Sequence, residues 1–169
     1  VDWFDIVING KDGLYYEQFT DVPFTGNVTG FAEGKVVKGI PEGVWLGFYE
    51  SGELNYKGAI KMTPAGIKRL GKWLRYNENG TLSSKENYIN GILQSEVRFK
   101  YYDKGQLKAK SNYNKKGILH GEYLSYYESG ELKSKGNYKD GKKEGEWLWY
   151  YPNGELEIKG SYKEGIDIN

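Results

Sequence analysis

Residues 126–147 read YYESGELKSKGNYKDGKKEGEW, and this stretch decides the fold. Counted from Gly130, Tyr126 and Tyr127 stand four and three positions before, Leu132 two after, Lys135 five after and Tyr138 eight after. The frame recurs at Gly52, Gly80, Gly105 and Gly154, with Leu54, Leu82, Leu107 and Leu156 in register. The intervals are 28, 25, 25 and 24 residues, a period at which one supersecondary unit repeats. Seven positions before each glycine stand Trp45, Trp73, Arg98, Tyr123 and Trp147; nine before stand Gly43, Gly71, Glu96, Gly121 and Gly145.

Aromatic and leucine positions alternate across Glu-Ser-Gly or Asn-Gly turns, which is the pattern of a β-hairpin. Leu132 and Tyr138 share one strand face with the small Ser134 and Gly136, while Glu131, Lys133, Lys135 and Asn137 point the other way. A lone hairpin is marginal in water, so the units must stack. The sequence therefore predicts an all-β protein, an elongated single-sheet ribbon or solenoid of stacked hairpins. By hairpin counting it should hold about eleven to thirteen strands and under about one-tenth helix. Only Pro64 to Leu74 has room for a turn of helix, and Gly66 and Gly71 interrupt it. Residues 1–42 are expected to form leader or cap hairpins, 43–165 five repeats and the start of a sixth, and 166–169 a tail.

The quoted stretch resembles the MORN repeat (membrane occupation and recognition nexus) in its bacterial variant form, and the likeness runs from Gly43 to Gly165. Asp12 to Gly30, DGLYYEQFTDVPFTGNVTG, is similar to the leader that precedes such repeats in bacterial proteins. The resemblance implies a hairpin-repeat fold. It also implies a role as an antitoxin component of a toxin–antitoxin system, or as a scaffold that in eukaryotic members can bind lipid.

Composition narrows the chemistry. Lys and Arg number 24 against 23 Asp and Glu, and a dedicated nucleic-acid binder would carry a basic excess. There is no cysteine, which removes disulfides, thiolate metal sites and a cysteine nucleophile. His120 is the single histidine, read as a turn residue, and no serine sits in a nucleophile-elbow context. Glutamates recur with the repeat, as structural residues would. No enzymatic activity, cofactor, metal or small-molecule substrate is expected. The start at Val1 is compatible with a removed export signal, so the compartment stays open between cytoplasm and envelope.

Two ladders remain as binding candidates. Lys57, Lys85, Lys110, Lys135 and Lys159 form one, suited to anionic lipid, with an acid or amide one position after four of the five repeat glycines (Glu53, Gln106, Glu131 and Glu155), the glutamates neutralising much of it. The aromatic ladder is richer, since Tyr and Trp dominate interface hot spots; stacked rings could also serve an exported carbohydrate-binding module. Specificity must come from where the repeat breaks. These places are the long segment Lys61–Leu70, read as a loop, and Ser95–Arg98, where glycine and tryptophan give way to Glu96 and Arg98 and the ribbon is expected to bend or widen. A protein partner, for instance a toxin or effector, is therefore expected to touch Trp45, Tyr49 and Trp73 and to read Lys68, Arg69 and Arg98; membrane association is the less favoured alternative.

Overall fold

The computed structural model describes residues 1–9 and 12–169. A three-residue 3-10 turn, Trp3–Asp5, opens the chain, and no α-helix occurs among the described residues. The strands are β1 (Ile6–Ile8), β2 (Tyr15–Glu17), β3 (Gly26–Val28), β4 (Ala32–Val37), β5 (Ile40–Phe48), β6 (Leu54–Thr63), β7 (Gly66–Tyr76) and β8 (Leu82–Ile89). They continue as β9 (Ile92–Tyr101), β10 (Leu107–Asn114), β11 (Leu119–Tyr126), β12 (Leu132–Lys139), β13 (Lys142–Tyr150), β14 (Leu156–Lys163) and β15 (Ile166–Asp167). β1 and β2 pair alone; β3 to β15 follow sequence order in one open antiparallel sheet of consecutive hairpins. Fifteen strands among the described residues exceed the expected eleven to thirteen, because residues 1–42 add β1 to β4 and β15 adds a fifth to the ten strands β5 to β14.

Two turn types join the repeat strands. After β5, β7, β9, β11 and β13 the chain makes a three-residue turn, as where Tyr127 N donates to Glu131 O at 2.8 Å and Gly130 N to Tyr127 O at 3.0 Å. Gly130 has φ +102, a conformation in which a Cβ is strained, and this explains the invariant repeat glycine. The repeat leucine is the first residue of the strand that follows. Of the opposite turns, Lys38-Gly39, Asn90-Gly91, Asp140-Gly141 and Glu164-Gly165 have two residues, both at positive φ, a geometry whose twist matches that of the strands it joins, whereas β10 returns to β11 through a three-residue turn closed by Asn114 N donating to Ile118 O at 2.9 Å.

The segment Lys61–Leu70 corrects the expectation of a loop, and Pro64–Leu74 that of a helical turn. β6 and β7 pair up to Thr63 and Gly66, so the turn is only Pro64-Ala65. The extra residues lengthen both strands, to 10 and 11 residues against 8 and 9 in β12 and β13. Around Glu96 and Arg98, β9 is unbroken and pairs with β10 in continuous register from Ser95 to Lys100.

The chain comprises two compact units, Val1–Leu82 with Glu86–Leu93 and Ser83–Lys85 with Gln94–Asn169. In the first, the core gathers Tyr15, Val28, Ala32, Val36, Trp45, Ile60 and Trp73, so leader and repeats share one interior. In the second, β12 alternates as its sequence pattern requires: Ser134 and Gly136 buried, Lys133, Lys135 and Asn137 exposed. The centre is Trp147, only 2% exposed. Its indole lies on Gly136, where a Cβ would overlap the ring. Trp147 Nε1 donates to Asn137 O at 3.1 Å, and Tyr123 and Tyr138 cover it at 5.8 and 5.0 Å between centroids.

Adding that Cβ is therefore expected to destabilise the second unit. Gly136→Ala should cost about 2–3 kcal/mol, the upper range for overpacking, read from urea unfolding. At Gly160 a Cβ would meet the edge of Tyr162 at 3.0 Å and that of Trp149 at 3.4 Å and overlap neither ring, so Gly160→Ala should cost clearly less.

Candidate functional site

The tryptophan face of the first unit brings together Trp45, Trp73 and Arg69 of the sequence-predicted residues. β6 places Gly58 between Trp45 of β5 and Trp73 of β7. Gly58 makes room for the Trp73 ring and Gly34 for that of Trp45. The indole nitrogens are satisfied, Trp73 Nε1 donating to Ala59 O at 3.0 Å and Trp45 Nε1 to Glu42 O at 3.2 Å. Tyr56 stacks on Trp73 at 5.6 Å, and Trp3 meets Trp45 edge-on at 6.0 Å. These rings, with Tyr15 and Arg69, line a cavity of about 300 Å³.

Arg69 stands at its rim. The guanidinium carbon lies 4.7 Å from the Trp73 ring centroid and 5.4 Å from that of Tyr88, within cation–π range. Arg69 Nη1 donates to Tyr88 Oη at 2.9 Å, and Tyr88 Oη donates to Glu86 at 2.8 Å. Arg75 Nε contacts the other Glu86 oxygen at 2.5 Å. Glu86 occupies the repeat position of Gly58 and Gly136 and is 8% exposed, so a buried carboxylate here is answered by guanidinium groups. Burial foremost, then the bond to Glu86, raises the Tyr88 hydroxyl above its ordinary value, keeping it a neutral donor. The arrangement offers an apolar cleft with a fixed cation at its edge.

Trp45, Trp73 and Arg69 thus come together, but not as open rings. Trp45 and Trp73 are 5% and 4% exposed and form the wall; Ile67, at 47%, and half-buried Tyr56 and Arg69 are the accessible parts. Lys68 and Arg69 are strand residues, corrected from loop residues. Adjacent strand positions face opposite sides, so Lys68 packs its stem toward Gly91 on the other face. Tyr49 belongs to a turn and donates its hydroxyl to Tyr76 O at 2.7 Å. Tyr102 and Tyr127 do the same to Tyr126 O and Tyr150 O, which makes this position a tie between repeats. Arg98, in the second unit, is held by Glu96 through two bonds of 2.8 and 2.9 Å and lies 4.2 Å over Tyr113. His120 is a strand residue of β11, corrected from a turn residue, 3.4 Å from Asp140. No cluster of three potential metal ligands occurs among the described residues.

The lysine ladder occupies the opposite face. Lys57 faces Leu46 and Leu74 across the strands, and Lys135 faces Leu124 and Leu148. Lys110 pairs with Glu122 at 2.8 Å and Lys159 with Glu146. The partners are therefore acids eight positions before a repeat glycine, on the adjoining strand, and not the expected acids one position after. Lys57, Lys85 and Lys135 have no carboxylate partner among the described residues; Lys85 and Lys135 lie over Phe99 and Tyr150.

Sequence reasoning missed a cation eleven positions before the repeat glycine. Arg69 over Trp73 and Tyr88 is matched in the second unit by Lys143, whose Nζ lies 4.6 Å from the Trp147 ring and 4.7 Å from Tyr162. Only two of the five repeats carry it, so the spacing alone gave little signal.

Comparison with known families places this architecture. The MORN repeat variant model matches residues 41–61, 69–90, 97–115, 119–140 and 143–164, more than half of the chain. The protein belongs to the MORN repeat variant family, which is not an enzymatic one. A search of curated proteins gives no match.

The Glu86 cluster yields a direct expectation. Arg75→Met leaves the buried carboxylate with fewer cations and should lower unfolding stability by about 3 kcal/mol. The double change Arg75→Met with Glu86→Gly, which restores the usual small residue, should recover most of that loss.

Proposed function

We propose that this protein is a non-enzymatic, protein-binding repeat protein, and that the tryptophan face of its first unit receives the partner. MORN repeats commonly bind proteins or lipid, so binding is the coarse role the family supports. The observation that carries the protein reading is the cleft itself. Three tryptophans and two tyrosines surround a space of about 300 Å³, with Arg69 at the rim. Aromatic anchors and arginine are the residues that dominate protein interfaces. An apolar side chain next to an acidic residue is the complementary occupant. Neutralisation of a toxin or effector is the narrower form of this reading, and it draws on the resemblance to bacterial repeat proteins alone.

The lysine ladder speaks for lipid less strongly. Lys110 and Lys159 are engaged by carboxylates, and each remaining lysine near an anionic surface is worth only about 1 kcal/mol, screened by salt.

The test uses a photo-crosslinking amino acid in the full-length protein, expressed in its own cells. Placed at Ile67, on the cleft rim, it should yield a discrete protein adduct; placed at Lys57, on the other face, it should not. Adducts from Lys57 alone would overturn the placement. Co-sedimentation with phosphatidylserine vesicles should be weak at physiological ionic strength. Strong retention, abolished by Lys57→Glu, Lys85→Glu and Lys135→Glu together, would favour lipid.

A further inference from the structure

We propose that a second cavity in the first unit, where the leader meets the turn of the first repeat, binds the alkylammonium group of a lysine in a basic peptide segment. It is an open cavity of about 350 Å³, lined by Phe4, Phe31, Phe48 and Tyr49 together with Glu33 and Glu50. None of these residues lines the tryptophan-face cleft, so the two sites are separate.

Three observations converge. Aromatic rings from three places in the chain bound one space, and the ring faces of such a cage attract a cation. Phe4 and Phe31, edge to face at 5.4 Å, remain 68% and 45% exposed, an unfavourable arrangement for phenylalanine that a side chain laid over them would relieve. Glu33 and Glu50 have no cationic partner among the described residues, so both are available to accept hydrogen bonds from an ammonium group.

Charge selects the source of that ammonium. Residues 1–34 contain six carboxylates and a single lysine, whereas residues 35–169 contain 17 carboxylates and 23 Lys and Arg. Phe4, Gly30, Phe31 and Glu33 of the cavity lining come from that acidic stretch, and Glu50 adds a further carboxylate at the same cavity. A run of lysines gains from every additional carboxylate nearby. A choline headgroup would bring its phosphate into the same negative field and lose by it.

The experiment is calorimetric titration of the full protein with a hexalysine peptide, blocked by acetyl and amide groups at its ends, and with the same peptide acetylated on every Nε. The first should bind and the second should not. Glu33→Gln with Glu50→Gln should weaken binding by at least about tenfold and Phe31→Leu by about threefold, from the loss of cation contacts. Glu17→Gln with Asp21→Asn, an equal charge change at exposed positions outside the cavity, should weaken it by less than about twofold. Melting temperatures within a degree or two of the parent would show that the variants fold. Equal losses in both double variants, or no binding of hexalysine to the parent, would overturn the proposal. So would binding to phosphatidylcholine vesicles that depends on Glu33 and Glu50 in place of peptide binding. Failure here leaves the tryptophan-face reading untouched, because the variants do not alter that cleft.

Discussion

The structure depends on an indole lying flat on a glycine of the neighbouring strand. A single sheet of hairpins offers no second layer along its repeats against which to bury large rings, so a ring such as Trp147 must find its cover within its own sheet. Removing one Cβ, at Gly58 or Gly136, lets the ring of Trp73 or Trp147 drop onto the backbone. The indole N–H then reaches a carbonyl of that same strand, Ala59 or Asn137, leaving no unsatisfied donor. Flanking tyrosines close over what remains. By this route Trp147 keeps only 2% of its surface exposed, with no packing layer above it.

That constraint sorts the two faces. The side carrying tryptophan must alternate large rings with glycine or serine. The other side is left to lysine and leucine in cross-strand pairs, which keep the exposed face polar and discourage sheet-to-sheet association. Binding capacity arises where the regular arrangement is altered. In the first unit the leader contributes Trp3 and Tyr15 to the tryptophan face, and the result is a cleft where the second unit has a closed stack. Glu86 in place of glycine replaces ring burial with an arginine–carboxylate cluster, and Arg69 becomes the fixed cation at the cleft's edge.

Much of this is written in the sequence, because strand periodicity and repeat periodicity coincide. The glycine-to-leucine spacing marks each turn, and the small residue six positions after the repeat glycine marks the ring's seat. What stayed hidden depends on neighbours that only the folded sheet specifies. Lys61–Leu70 carries Pro64 and Gly66 and reads as a loop, yet its additional residues divide evenly between two strands, which no local signal reveals. Once Lys68 and Arg69 lie in a strand, they cannot face one partner together. The exposed rings expected at Trp45 and Trp73 are walls, since the glycine seats that bury them lie on other strands. The carboxylates that engage Lys110 and Lys159 belong to adjoining strands as well, out of reach of a reading along the chain.

The most direct measurement of the central contact is the proton chemical shift of the glycines beneath the rings. A proton held against the face of an indole is shielded by its ring current. The α-protons of Gly58 and Gly136 should therefore resonate far upfield of those of the turn glycines Gly52, Gly80 and Gly105, which have open space around them. The indole N–H groups of Trp73 and Trp147 should exchange with solvent far more slowly than that of Trp149. Ordinary shifts for Gly58 and Gly136, with all indole protons exchanging alike, would contradict the account.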